Sequence, residues 1–284
     1  MFYFEGIIIV FISIFGLVVG SLLNVIICRL GTKKSWLRGR SVCPNCKHQL
    51  NWLDLVPLFS FIFLRGRCRY CHKPISWQYP AVELATATVF VLIILNTKYL
   101  IPDTNIFLTN SWQLLVNILL LCLISSFLII IFVYDLKHYL IPDAVVFTGI
   151  GLALLYQISL LITNYQLSTA NYKLVSLTTF YPLLAALAAG LFFLILVLVT
   201  RGKGMGIGDI KLAFLMGLLL SWPNIAVALF IAFLSGGIIG LLLIIAKKKQ
   251  LKSMVPFGPF LISGTFIALF WGVQIIQSYW GVFL

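Results

Sequence analysis

The sequence predicts an all-α polytopic membrane protein of about eight transmembrane helices, with a small cysteine-bearing polar domain between the first and the second. Three observations predict it. Hydrophobic residues fill 62% of the 284 positions, charged residues only 10%, and mean hydropathy is +1.10. That balance lies far outside a soluble globule. Apolar runs long enough to span recur along the chain, and lipid leaves no water for free backbone groups, so helices are expected. The alternating short segments of a β-barrel do not occur. Third, the basic residues are sorted by side. All but Lys98 and Lys173 of the 20 fall in loops assigned to one face, the positive-inside pattern. The same sorting explains the net charge of +13 without nucleic acid as a partner.

The first span runs from about Gly6 to Cys28 and ends on Arg29, Lys33, Lys34, Arg38 and Arg40. Its C-terminal end is therefore cytoplasmic and the N-terminus outside. Glu5 stands where a signal peptide would carry a basic n-region, so the run reads as a span and not as a cleavable signal. Residues 29–79 form the only substantial polar segment, and residues 80–284 carry the remaining spans. Within the polar segment, Trp52 to Leu64 is apolar but too short to span; it either packs against the membrane or forms a small core. The second span covers about Pro80–Thr97, with Lys98 and Asp103 in an outer loop. The third, about Trp112–Tyr134, returns to the cytoplasm at Asp135. The fourth opens at Pro142-Asp143 and ends near Thr163, and residues 164–178 form an outer loop. The fifth covers about Phe180–Thr200. The sixth is short, about Asp209–Trp222, and Pro223-Asn224 turn the chain. The seventh, about Ile225–Ala246, ends on Lys247, Lys248, Lys249 and Lys252. The eighth opens at Pro256-Phe257-Gly258-Pro259 and ends near Tyr279, leaving both termini outside. No internal repeat is evident.

Four of the six cysteines form two pairs, Cys43-x2-Cys46 and Cys68-x2-Cys71, separated by 21 residues. On a cytoplasmic face two such knuckles read as a tetrahedral zinc site. Reducing conditions disfavour disulfides, and a redox dithiol needs only one pair. His48 and His72 follow the knuckles, but four thiols already complete a ligand set. Cys28 and Cys122 sit in or beside spans and read as packing residues.

The chain has seven carboxylates. Glu5 and Asp103 face outside. Asp54 belongs to the cysteine segment, Glu83 reads as an ion-pair partner at the head of the second span, and Asp143 reads as a helix-start residue. Asp135 and Asp209 remain, both at cytoplasmic span boundaries and so at one depth. An acid held there is costly, and the default reading is a functional site. If the third and sixth spans are neighbours the two can meet, one acting as base while the other holds a proton and polarises a carbonyl. The plainer reading pairs Asp135 with Lys137 or His138, and Asp209 with Lys211. Asp209 follows Gly204-Met205-Gly206-Ile207-Gly208, where glycines permit close backbone approach. The loop matches neither a dinucleotide fingerprint nor a P-loop.

These residues together resemble the bacterial type IV prepilin peptidases, bifunctional leader peptidase/N-methyltransferases of the GxGD aspartic class. Gly20-Ser-Leu-Leu-Asn24, the two cysteine pairs, Trp52-x-Asp54-Leu-Val-Pro57 and Tyr79-Pro-Ala-Val-Glu83 look like the N-terminal half of that family. Asp135 with Pro142-Asp143, Gly206-x-Gly208-Asp209-x-Lys211 and Pro256-Phe-Gly-Pro-Phe260 look like its catalytic half. The resemblance implies cleavage of the basic leader of prepilins and pseudopilins after a glycine at the cytoplasmic membrane face. It also implies methylation of the new N-terminal residue, usually Phe, with S-adenosylmethionine. It places catalysis on Asp135 and Asp209, loop support on Gly206, Gly208 and Lys211, and Zn2+ on Cys43, Cys46, Cys68 and Cys71. No S-adenosylmethionine motif is visible; Gly66, beside the second pair, is the candidate for supporting that cofactor. Gly31 and Leu22 stand where the family often has Pro and Phe. The location implied is the bacterial inner membrane. A peptidase with a purely structural zinc domain and a proton-coupled transporter are the competing readings. The sequence leaves pathway and any homo-oligomer open.

Overall fold

The computed structural model describes residues 2–31, 39–96, 111–167, 172–202, 205–246 and 255–283. For 2–5, 111, 163–167, 172–179 and 280–283 only the backbone is described. Lys33, Lys34, Arg38, Lys98, Asp103, Lys203, Gly204, Lys247, Lys248, Lys249 and Lys252, all used in the charge pattern or the glycine loop, lie outside the described residues.

The described residues form helices and turns, and no strand is formed among them. In order they are α1 (Phe2–Arg29), a 3-10 turn at Trp52–Leu55, α2 (Phe59–Phe63), α3 (Gln78–Leu95), α4 (Ser111–His138), α5 (Asp143–Leu167), α6 (Tyr172–Val199), α7 (Ile207–Leu220), α8 (Asn224–Ile245) and α9 (Gly258–Phe283). Seven of these are long and apolar enough to cross a membrane. The expected sixth span, α7, is the exception at 14 residues. Two boundaries move. Residues 164–167 and 172–178, expected in an outer loop, are helical, as the end of α5 and the start of α6. Asp135 lies inside the last turn of α4 and not beyond it.

The chain divides into two compact units, Met1–Leu95 and Asn96–Leu284. The division falls after α3 because α3 packs along α1. In membranes small residues let helix backbones approach, and α1 supplies two at helical spacing. A Cβ added at Gly16 would lie 2.6 Å from Ala87 Cα, and one at Gly20 would lie 2.6 Å from Glu83 Cα. Glycine is required at both positions.

In the second unit α7 is the buried centre. Asp209, Leu212, Ala213, Leu215, Met216, Gly217, Leu218, Leu219 and Leu220 are all buried. The helix packs chiefly against α6 and α5, with α9 also in contact. Gly217 makes the α6 contact possible, because a Cβ there would fall within the backbone of Ala185 and Ala186. Gln157 of α5 donates to the Leu218 carbonyl at 2.6 Å, which ties the far end of α7. At the opposite end, the last turn of α4 and the first turns of α5, α7 and α9 gather.

Candidate active site and metal centre

Asp209 occupies the first turn of α7. Its Oδ2 accepts the Gly206 N–H at 2.9 Å, and its own N–H donates to the Gly206 carbonyl at 3.2 Å. A carboxylate here satisfies a free amide and sits at the positive end of the helix dipole. Asp135 reaches a second helix start. Its Oδ2 accepts the N–H of Gly258, the first residue of α9, at 3.1 Å. Both acids are buried, at 4% and 7% exposure, and lie within electrostatic reach of each other. Each therefore has one oxygen fixed by a helix-start amide, and the structure assembles the pair that depth alone suggested.

Ile141, in the loop between α4 and α5, packs against the first turns of α7 and α9. A Cβ on Gly208 would lie 2.9 Å from Ile141 Cβ. One on Gly258 would lie 2.5 Å from Asp135 Oδ2 and 3.5 Å from Ile141 Cδ1. Gly208 and Gly258 are therefore close-approach positions. Gly206 is not: its backbone is extended, and a Cβ there would meet nothing nearer than 3.8 Å. The expectation that both loop glycines are needed for space holds for Gly208 alone.

Lys211 does not pair with Asp209. Its Nζ lies 2.7 Å from Asp143 Oδ1 and 5.1 Å from the Phe147 ring centroid. Asp143 is thus more than a helix-start residue; with Lys211 it ties the first turn of α5 to α7. Sequence reasoning missed Gly258 and Ile141 as parts of this site. The Pro256-Phe-Gly-Pro motif was visible, but its amide partner is 123 residues away.

In the first unit the four Sγ atoms of Cys43, Cys46, Cys68 and Cys71 all lie within 4.8 Å of one another. The Cys43 and Cys71 sulfurs are 3.9 Å apart. A tetrahedral zinc with Zn–S near 2.3 Å puts its sulfurs about 3.8 Å apart, so the donor set fits that ion. Burial pushes the Cys43 thiol up, but the amides of Cys46 and Asn45 and the thiols of Cys68 and Cys46 outweigh it and hold it near 7. Such a thiol is readily a thiolate ligand. His48 and His72 are exposed and outside the cluster; His48 stacks on Tyr70 with centroids 3.7 Å apart.

The two knuckles are copies, although no repeat was evident in sequence. The Cys43 N–H donates to the His48 carbonyl, and the Cys68 N–H to that of Lys73, each at 2.9 Å. Lys47 and His72 donate back to the carbonyls of Cys43 and Cys68, each at 3.0 Å. Lys47 and His72 both take positive φ, and the bridges Val42–Gln49 and Arg67–Pro74 repeat the pattern. Leu50 and Ile75 then donate to Ser41 and Gly66, and Trp52 and Trp77 follow at equal offsets. Gly66 is a turn residue with φ +69, its Cα side closed by Phe61.

Two other expectations change, at Glu83 and Cys28. Glu83 makes no ion pair among the described residues; it accepts the Leu58 N–H at 2.9 Å and a hydrogen bond from Ser21. Asp54 closes the 3-10 turn through the Asn51 N–H at 3.1 Å and pairs with Arg69 at 2.9 Å. Cys122 is buried as expected, but Cys28 is exposed, its sulfur 3.5 Å from the Tyr79 hydroxyl.

A membrane-spanning helical unit with a paired-aspartate site, preceded by a unit with a four-cysteine cluster, is the class these features define. Residues 14–97 match the model of the bacterial peptidase A24 N-terminal domain, and residues 122–241 that of the type IV leader peptidase family. A prepilin leader peptidase/N-methyltransferase of Aeromonas hydrophila is 31% identical over 297 residues, covering 96% of this chain and 94% of that protein. A protein of the same description from Legionella pneumophila is 32% identical, with 96% and 94% covered. One from Bacillus subtilis (strain 168) is 31% identical, with 94% and 95% covered. No solved structure matches. The chain belongs to the type IV leader peptidase family.

Proposed function

We propose that this protein removes the leader peptides of prepilins and pseudopilins at the cytoplasmic membrane face, after a glycine, and then N-methylates the new N-terminal residue with S-adenosylmethionine. One observation carries the peptidase half: two buried aspartates, each held through one oxygen by a helix-start amide, at a common end of the second unit. The fixed oxygens orient both carboxyl groups. One carboxylate takes a proton from water as it attacks the scissile carbonyl, and the protonated partner donates to the carbonyl oxygen. Neither acid needs a basic partner for this, and Lys211 is occupied by Asp143. A prepilin carries a basic leader before an apolar helix, so its cut site falls at the membrane boundary. The positive-inside pattern of the basic residues supports the reading that Asp135 and Asp209 lie at that boundary on the inner face, with both termini outside.

Cys43, Cys46, Cys68 and Cys71 would hold Zn2+, which supplies a structural cross-link for residues 39–77 and no step of the hydrolysis. Methyl transfer is carried by the relatives' names and not by a site in the structure; Gly66 stays a candidate only through its place beside the second knuckle. The test is the reconstituted protein with a prepilin substrate, read by intact mass. Wild type should give a cleaved product with one added methyl group. Asp135→Ala and Asp209→Ala should each abolish cleavage, and retained cleavage in either rejects the aspartic mechanism. Cleavage without the added mass would leave a peptidase with a structural zinc domain.

A further inference from the structure

The stretch Trp52–Leu64 was expected either to pack against the membrane or to form a small core. It forms no core. Phe59, Ile62 and Phe63 of α2 are exposed, Phe63 at 80%, and the two tryptophans that follow the knuckles, Trp52 and Trp77, are 73% and 76% exposed. Trp77 borders α2, its ring 5.0 Å from that of Phe61. An exposed apolar surface of this kind marks a contact, and three features identify its occupant.

The first is depth. Leu55 and Pro57 line one groove with Val18, Leu22 and Val25 of α1. Leu22 and Val18 are seven and eleven residues from Arg29, so the groove reaches about 10–16 Å up the helix from its charged end. Leu58 donates to Glu83, five residues into α3 and so about 8 Å from its start. The segment therefore returns alongside two spanning helices, below their ends.

The second is backbone satisfaction, which lipid demands. Ser60, Ile62, Leu64, Arg65, Gly66 and Arg67 all donate within the segment, Pro57 has no N–H, and the amide of Leu58 goes to buried Glu83. The third is charge. Arg65, Arg67 and Lys73 follow the apolar stretch, are exposed, and make no ion pair among the described residues, whereas Arg69 is taken by Asp54. Exposed aromatics with a basic rim are the signature of a segment lying in a membrane interface.

We propose that residues 52–64 and Trp77 lie in the bilayer leaflet at the Arg29 end of α1, as an interfacial anchor of the knuckle domain. Arg65, Arg67 and Lys73 then bind the headgroups of anionic phospholipids. The inference does not rest on the catalytic reading.

The test uses the whole zinc-loaded protein in vesicles of phosphatidylcholine and phosphatidylglycerol, the latter carrying a photoreactive group on its acyl chain. Irradiation without substrate should place lipid adducts on the 52–64 peptide, and hydroxyl radicals generated in water should spare it. Water-side labelling without lipid adducts overturns the proposal. So does protection that appears only when a prepilin peptide is added, because the surface would then belong to substrate. The variant Arg65→Gln/Arg67→Gln/Lys73→Gln should retain one zinc per chain. It should lose about tenfold or more in phosphatidylglycerol retained through purification, with phosphatidylcholine unchanged. Equal loss of both lipids, or of neither, overturns the headgroup assignment.

Discussion

Gly206, Gly208 and Gly258 look alike in sequence, yet their surroundings set three different tolerances. At Gly258 a Cβ would strike the Asp135 oxygen, and at Gly208 it would strike the branched carbon of Ile141. At Gly206 it would meet only open contact distances. Displacing a reacting group by about 1 Å costs about a hundredfold in rate. Gly258→Ala and Gly208→Ala should therefore cut prepilin cleavage by about that factor with zinc content unchanged, while Gly206→Ala should stay near wild type. Equal loss in all three would mean that the loop fails for another reason. The Lys211–Asp143 pair makes the opposite case. Asp143 has 63% of its side chain exposed, and exposed pairs contribute about 0–1 kcal/mol. Lys211→Met should leave thermal unfolding within about 1 kcal/mol of wild type, so any large loss of cleavage it causes reports positioning of α7 and not stability. The sequence made Asp135, Asp209 and the four thiols legible because acids are scarce in spans and C-x2-C spacing is a ligand geometry. The Gly258 amide and the Asp143 partner were not legible, because both are tertiary pairings, 123 and 68 residues apart. Adjacency had suggested Lys211 for Asp209 instead.

At the scale of an element, α7 shows why an apolar run shorter than a span can still belong to a membrane fold. Fourteen residues reach about 21 Å against a hydrocarbon core of about 30 Å. The helix does not have to match that thickness, because neighbouring helices cover most of it. The cost moves to packing: Gly217 rests on the backbone of Ala185 and Ala186. Gly217→Leu should push α7 off α6, lower thermal stability by about 1–3 kcal/mol and carry Asp209 out of register. Cleavage should then fall with both aspartates still present. Gly237 of α8 is exposed with nothing within 4 Å of an added Cβ, so Gly237→Leu should leave both measurements unchanged and serves as the control for leucine in a glycine-rich helix. Composition made the existence of α7 readable, and its polar end made the boundary readable. Its central burial was not, since a run apolar on every side reads alike whether it faces lipid or protein. The knuckle duplication escaped for a related reason. Its shared features are backbone hydrogen bonds and two positive-φ residues, Lys47 and His72, which leave only cysteines and tryptophans in common.

For the whole molecule, the division into Met1–Leu95 and Asn96–Leu284 separates the thiolate centre from the aspartates. The two units also rest on different sources of stability. The second has a continuous buried interior in which Leu212, Leu215, Met216, Ile124, Leu128 and Leu261 are fully covered. Between α1 and α3, the first has little apolar interior: among the described residues of the knuckle segment only Cys43 and Cys68 are buried, Leu50, Leu58, Phe61, Leu64 and Ile75 are half-buried, and Trp52, Phe59, Ile62, Phe63 and Trp77 are exposed. Zinc bound at the four cysteines would supply folding energy to such a segment, since structural zinc contributes on the order of 10–16 kcal/mol of apparent binding energy. Removing zinc with a strong chelator, or replacing Cys68 with Ser, should therefore unfold residues 39–77 selectively. Limited trypsin digestion should then cut rapidly after Arg65, Arg67 and Arg69, which are exposed. The fragment from α4 to α9 should keep its wild-type digestion rate and its thermal transition. Parallel loss of protection in both units would show that the thiolate centre supports the whole fold. If the two separate, the metal-free protein should still cleave a prepilin, because the aspartates and the Gly206 and Gly258 amides that hold them belong to the second unit.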